Sequence, residues 1–316
     1  MTGLRTELHR HLDVSVRTST LLELAQERGL EALSTSLEAF RAKHVMRKPL
    51  TDLATVLAEF TLYQHVLDRP EVLERVAFEV IEDVRREGTR AVELRWSPGF
   101  VCQLSHLPWE DALDGFEAGI RKALATYPEM KAGMLCIASR DLGADSVLRT
   151  VEFFLKHPGR FVGLDLAGPE EGYPARDFEG AFRKAKDRGA RITVHAGEGS
   201  GPENVWDAIE NLGATRIGHG IAAIQDRELM ARLAKDAICL ENCPTSNWLT
   251  QCVPDLAHHP LPRFLRAGVP VCINTDDPGI FGVTLPQEIE VCRSQMGMSE
   301  AEIEECFKHA ARASFL

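Results

Sequence analysis

Residues 190–220, ARITVHAGEGSGPENVWDAIENLGATRIGHG, read as a strand, a helix and a second strand. Ile192–Ala196 is a short run bounded by polar residues, Glu203–Leu212 carries apolar side chains at helical spacing, Gly213 is a helix stop, and Thr215–Gly218 begins a new strand. A strand, a crossover helix and another strand make two parallel neighbours. Each strand runs into a turn that bears a histidine: His195-Ala196-Gly197-Glu198 after the first, and Gly218-His219-Gly220 after the second. Whatever chemistry these residues carry is therefore gathered at one end of the sheet.

The same unit recurs in both directions. Strands are expected at Thr6–His11, Ala91–Ser97, Ala132–Ser139, Phe161–Ala167, Ile238–Cys243 and Val271–Thr275, which brings the number to eight. Amphipathic helical patterns lie between them at Glu71–Glu87, Trp109–Ala125, Asp145–His157, Asp177–Arg188, Asp226–Lys235 and Pro262–Ala267, several closed by Gly88, Gly189 or Gly268. Eight such units in about 250 residues or more are the arithmetic of an α/β fold of the (β/α)8 TIM-barrel type. An open nucleotide-binding sheet is disfavoured because neither GxGxxG nor GxxxxGK[ST] matches. The stretch Thr18–Pro70, with helices expected at Thr20–Arg28 and Leu53–Leu67, is an insertion after the first strand that would cover the barrel mouth. No repeat or linker divides the chain, so residues 1–316 read as a single domain.

Composition removes several classes. The chain has 316 residues, 44% hydrophobic and 26% charged, the make-up of a globular protein. No apolar run approaches the roughly 18 residues of a membrane span. A net charge of −11, without a basic block, lacks the phosphate-neutralising term of nucleic-acid binding. The eight cysteines include no C-x-x-C pair and read as reduced, mostly buried side chains. The start MTGLRTELHRHLD has neither an apolar core behind a basic head nor a small-residue cleavage site, so a cytoplasmic location is expected.

His9 and His11 are two residues apart on a strand and share a face, so both rings can address one metal. With 11 histidines in the chain, such a pair carries little weight alone. It gains weight from three clusters at strand ends, where a barrel places its chemistry: His195 to Glu198, Gly218 to Gly220, and Thr275-Asp276-Asp277-Pro278. His9, His11, His195 and Asp276 supply three imidazoles and a carboxylate, a donor set that suits zinc and leaves room for water. Glu198, close by but not needed as a ligand, would give a proton to the group under attack. His219 would be the base or the orienter of the water.

The segments Glu7–Asp13 (ELHRHLD), Val92–Pro98 (VELRWSP), Leu164–Glu170 (LDLAGPE), Thr193–Glu198 (TVHAGE), Arg216–Gly220 (RIGHG), Cys243–Asn247 (CPTSN) and Ile273–Gly279 (INTDDPG) resemble, in order and spacing, the adenosine deaminase family. The resemblance implies zinc-dependent hydrolysis of adenosine to inosine and ammonia. It assigns one Zn²⁺ to His9, His11, His195 and Asp276, the activation or positioning of water to His219, and proton donation to purine N1 to Glu198. Asp277 would bond the N7 edge and help orient the nucleophile, the Gly168 N–H would meet N3, and Asp13 would reach the ribose 5′-hydroxyl, with His11 also lining the substrate site.

Two positions depart from the family pattern. Val14 stands where a glycine usually follows HLD, and a β-branched residue enters positive φ at a cost, so a reshaped ribose-side wall is expected. Pro169 replaces an acid often seen after DLAG. The chain also ends at Leu316, shortly after a segment resembling the family's penultimate helix. Adenine and 6-amino-6-deoxyfutalosine are the competing substrates, and Asp13 in place of Glu favours a nucleoside over adenine. A two-metal barrel hydrolase would need a carboxylated lysine on the fourth strand, which has none. A catalytically silent purine-binding protein is the remaining alternative.

Overall fold

The computed structural model describes residues 5–49 and 53–316, with side chains from Phe60 onward in the helix that opens at Leu53. Eight strands run β1 Arg5–His11, β2 Thr89–Trp96, β3 Lys131–Ser139, β4 Gly163–Ala167, β5 Thr193–Ala196, β6 Arg216–His219, β7 Cys239–Asn242 and β8 Val271–Ile273. β1 to β4 pair in chain order as one parallel sheet, and β5 to β8 as a second. Two isolated bridges join the sheets, Leu164 with Ile192 and Arg10 with Asp276. At the first seam Leu164 N–H donates to Arg191 O at 2.9 Å. At the second, His11 N–H donates to Asp276 O at 2.9 Å and Asp276 N–H to His9 O at 3.1 Å. The sheet thus closes on itself, and every strand read from the sequence is present with its ends moved by at most two residues.

Among the described residues, four helices separate β1 from β2: α1 Thr18–Glu27, α2 Leu37–His44, α3 Leu53–Val66 and α4 Pro70–Arg86. The sequence reading had no counterpart for α2, although Ser36 caps it by accepting the Ala39 N–H. α5 Pro98–Ser105, capped by Ser97, was also missed and follows β2 directly. α6 Trp109–Thr126 comes next, then α7 Ala144–Lys156 after β3, α8 Glu179–Lys186 after β4, α9 Pro202–Asp207 after β5 and α10 Arg227–Lys235 after β6. α11 Pro244–Leu249 and α12 Leu261–Arg266 follow β7, and α13 Pro278–Phe281, α14 Leu285–Ser294 and α15 Glu300–Ala313 follow β8. The single helix expected over Glu203–Leu212 is divided: α9 is regular to Asp207, and Ala208–Leu212 widens into a π turn before Gly213 at φ +74°. None of the helices among the described residues is long and apolar enough to cross a membrane.

The α4 face Val72, Leu73, Val76, Ala77, Val80, Ile81 and Val84 is buried, each large side chain contributing about 1.5–3 kcal/mol on full burial. α4 lies unusually close to α6. A Cβ at Gly119 would sit 2.2 Å from Glu74 O, and one at Gly115 would sit 2.7 Å from Pro70 O.

The barrel interior is less aliphatic than the strand patterns suggest. Arg95, Asp165, Glu93 and Glu241 are fully buried there, and Arg216 is 1% exposed. Arg95 bonds Asp165 at 2.8 Å and Glu241 at 2.6 Å, while Arg216 bonds Glu241 and Glu93, each at 2.7 Å. At the end away from the histidines the chain's last residues fold over this network. Arg216 donates to Ala313 O, the Phe315 ring lies 3.6 Å from the Arg216 guanidinium, and Glu93 accepts from the Ser314 hydroxyl and the Phe315 N–H.

Candidate active site

The pleat of β1 turns both His9 and His11 inward. His9 is wholly buried. Its Nδ1 is 2.9 Å from Glu241 Oε2, while its Nε2 lies 3.1 Å from Asp276 Oδ1 without making a hydrogen bond. On β5, His195 Nδ1 is held by Asp165 at 3.1 Å, and its Nε2 is 3.4 Å from His11 Nε2. His11 Nε2 is also 3.4 Å from Asp276 Oδ1.

One ligand atom from each of His9, His11, His195 and Asp276 falls within a span of 4.8 Å. Two ligands on a tetrahedral ion with bonds of about 2.1 Å lie about 3.4 Å apart, close to the separations found here. The orphaned His9 Nε2, and the carboxylates that fix the far nitrogens of His9 and His195, are what a bound zinc requires. Burial holds His11 and His195 below the usual histidine range, which keeps their rings neutral. Burial alone would raise Asp276, but His219 and His9 outweigh it and hold its carboxyl well below the usual range. Asp276 has φ +64° and His219 φ +57°, left-handed conformations that a non-glycine residue adopts only when its surroundings enforce them.

Glu198, expected beside the candidate metal residues, is there. Its Oε2 lies 3.4 Å from His219 Nε2, and His219 Nε2 is 3.8 Å from Asp276 Oδ2. Burial, then the charges of Asp276 and Glu170, push Glu198 up to about 8. Asp277 is raised well above the carboxylate range by burial and by Asp276 and Asp13, and its Oδ1 has no partner. Asp13 accepts the Ser97 N–H at 3.2 Å through Oδ2, has an orphaned Oδ1, and is pushed by burial up to about 7. Gly168 has φ +101°, and a Cβ there would meet Asp141 Oδ1 at 2.7 Å. His11, Asp13, Gly168, His195, Glu198, His219, Asp276 and Asp277 all line one cavity of about 780 Å³.

The insertion supplies part of this cavity's wall through Phe60, Thr61 and Gln64, as its position after β1 led us to expect, and α5 adds Phe100 and Gln103. Val14 also lines it but is not among the residues with positive φ. The backbone cost expected for a β-branched residue there does not arise, and Val14 simply adds apolar bulk.

Two supporting residues, Glu170 and Asn247, stand within quoted motifs without a role, and a third, Arg140, lies outside them. Glu170 accepts the N–H groups of Gly197, Glu198 and Gly199 at 2.8, 2.8 and 3.0 Å, fixing the turn that carries Glu198. Arg140 donates to His195 O at 2.6 Å. Asn247, in CPTSN, contacts both His219 and Glu198. The signal that could have found Glu93, Arg95, Asp165 and Glu241 is a charge inside an otherwise apolar strand, in VELRW, LDLA and CLEN.

The family model for adenosine deaminase matches residues 5–316. An adenosine deaminase of Escherichia coli O1:K1 is 40% identical over 313 residues, covering 98% of this chain and 93% of the relative. Among solved structures, an adenine deaminase from Arthrobacter aurescens superposes with a TM-score of 0.90 at 26% identity, over 99% of this chain and 94% of that one. A zinc-bound amidohydrolase from Burkholderia ambifaria gives 0.89 at 27%, over 99% and 86%. The barrel, the cluster of three histidines and an aspartate at its mouth and these similarities agree: the chain belongs to the adenosine deaminase family.

Proposed function

We propose that this enzyme hydrolyses adenosine, and 2′-deoxyadenosine, at C6: water adds, ammonia leaves and the 6-oxopurine nucleoside remains. The observation that carries the proposal is a partly buried acid, Glu198, beside three imidazoles and a carboxylate that converge on one point. A single zinc ion would be held by His9, His11, His195 and Asp276. When bound, it supplies a nucleophile at neutral pH by lowering the pKa of a water to about 7.

The protein's own groups do the rest. Glu198, raised to about 8, holds its proton at pH 7 and delivers it to purine N1, which makes C6 more electrophilic. Asp277, raised well above its ordinary range, meets the N7 edge and helps orient the nucleophile. The Gly168 N–H faces N3. His219 orients the nucleophile from the side of Asp276. The Asp13 carboxyl, half-used by Ser97, takes the ribose 5′-hydroxyl.

The cavity also argues against a nucleotide. None of its described lining residues is Lys or Arg, whereas Asp13 and Asp141 are both there, and residues 50–59 (LTDLATVLAE) contain no basic residue either. A 5′-phosphate would thus approach carboxylates with no countercharge. Eight free cysteines suit a reducing compartment, the cytoplasm.

The test is ammonia release by the zinc-loaded protein from adenosine, adenine, 6-amino-6-deoxyfutalosine and adenosine 5′-monophosphate. Adenosine should be the best substrate, and the monophosphate should fall below it by at least roughly a hundredfold in kcat/KM. Turnover of adenine with none of adenosine would reassign the substrate. No turnover of any of the four would leave a binding protein.

A further inference from the structure

His259 lies outside every sequence motif, yet it is 2% exposed and joined to the reacting centre through one residue. Its Nδ1 accepts the main-chain N–H of Leu261 at 3.2 Å. A peptide N–H can only donate, so this nitrogen carries no proton. Burial lowers His259 to about 3, and the neutral ring must then bear its hydrogen on Nε2. That Nε2 is 3.2 Å from Asn247 Oδ1, and its N–H fixes which end of the amide is oxygen.

The other end of the amide, Asn247 Nδ2, lies 3.0 Å from His219 Nδ1 and 3.4 Å from Glu198 Oε1. An amide NH₂ also only donates. His219 Nδ1 must therefore accept. A neutral His219 then holds its hydrogen on Nε2, the nitrogen that faces Glu198 and Asp276.

We propose that His259 is a positioning residue for deamination: the chain Leu261 N–H, His259, Asn247, His219 selects the Nε2–H tautomer of His219. In its resting form His219 thus presents a hydrogen-bond donor, not a lone pair, to the reaction space. Its part is to orient the nucleophile, and a base role is closed to it until that hydrogen leaves. The inference rests on the deaminase reading only for its consequence, since the tautomer itself is a property of the free protein.

The deciding experiment is a long-range ¹⁵N–¹H correlation spectrum of the zinc-loaded protein with labelled histidine, His219 being assigned by difference from H219Q. A protonated Nε2 and bare Nδ1 are expected, and a proton on Nδ1 would overturn the proposal whatever the substrate proves to be. Kinetics on the best substrate supply the second readout. His259→Leu should lower kcat by up to about tenfold, the loss of one neutral hydrogen bond, with little change in KM. His259→Gln, whose amide can still donate to Asn247, should recover most of the loss. Equal losses in both variants, or a loss carried by KM, would mean that His259 is merely structural. Should His259→Leu fail to fold, the spectrum of the unaltered protein still decides.

Discussion

Glu198, partly buried, and Asp13, buried, sit in one cavity, and their surroundings suit them to the different work proposed for each. Glu198 stands beside the proposed ligand cluster without belonging to it, so Glu198→Gln should keep zinc, measured by metal analysis, while kcat drops by roughly 10² to 10⁴, the worth of general acid catalysis. A near-normal kcat would remove Glu198 from its role. Asp13, proposed to meet the sugar, has one oxygen fixed by Ser97 and the other open. Asp13→Ala should raise KM for adenosine by about 10- to 100-fold, as for a lost hydrogen bond to a charged group, and leave any turnover of free adenine almost unchanged. Equal effects on the two substrates would show that Asp13 does not contact ribose.

Among the elements, α14 carries a buried carboxyl whose effect on stability can be followed with pH. Burial pushes Glu288 up to about 8, against the Thr245 N–H, which favours the anion. Between the ordinary carboxyl range and pH 8 the unfolded chain gives up this proton while the folded one keeps it. The contribution of the group to stability is thus full below about pH 4.5 and declines as pH rises, until it is gone near 8. Glu288→Gln should accordingly raise Tm more at pH 8 than at pH 5, by calorimetry, and an equal shift at both would show that Glu288 ionises normally.

The elements also show what a sequence can disclose. Strands and most of the longer helices were legible because apolar runs, helical spacing and glycine stops are local signals, although α14 and α15 were not read, and the proposed metal and acid residues were legible because they end strands in compact motifs. α2 and α5 were missed although Ser36 and Ser97 cap them, because short helices leave little periodicity. The supporting shell was harder to see. His259 reaches Asn247 only once the segment between α11 and α12 folds back towards α11, and Arg95 meets Glu241 only across the barrel, so neither pairing has a signature in the chain.

At the scale of the whole molecule, the proposed ligands come from both sheets: His9 and His11 from β1, His195 from β5, and Asp276 from beyond β8. Zinc should therefore stabilise the entire barrel. At a free concentration a hundredfold above its dissociation constant the gain is about 2.7 kcal/mol, visible as a Tm that falls on chelation and returns with zinc. A Tm indifferent to chelation in protein shown to lose its metal would place the ion elsewhere. The residue that would offer the fourth ligand also makes the second seam, through the two main-chain hydrogen bonds of Asp276 with β1. Sealing the cylinder and completing the proposed cage would thus be one event. A nascent polypeptide on the ribosome would hold only a partial cage until its final eighth emerges, and a fragment that stops short of Asp276 should neither retain the ion tightly nor resist protease.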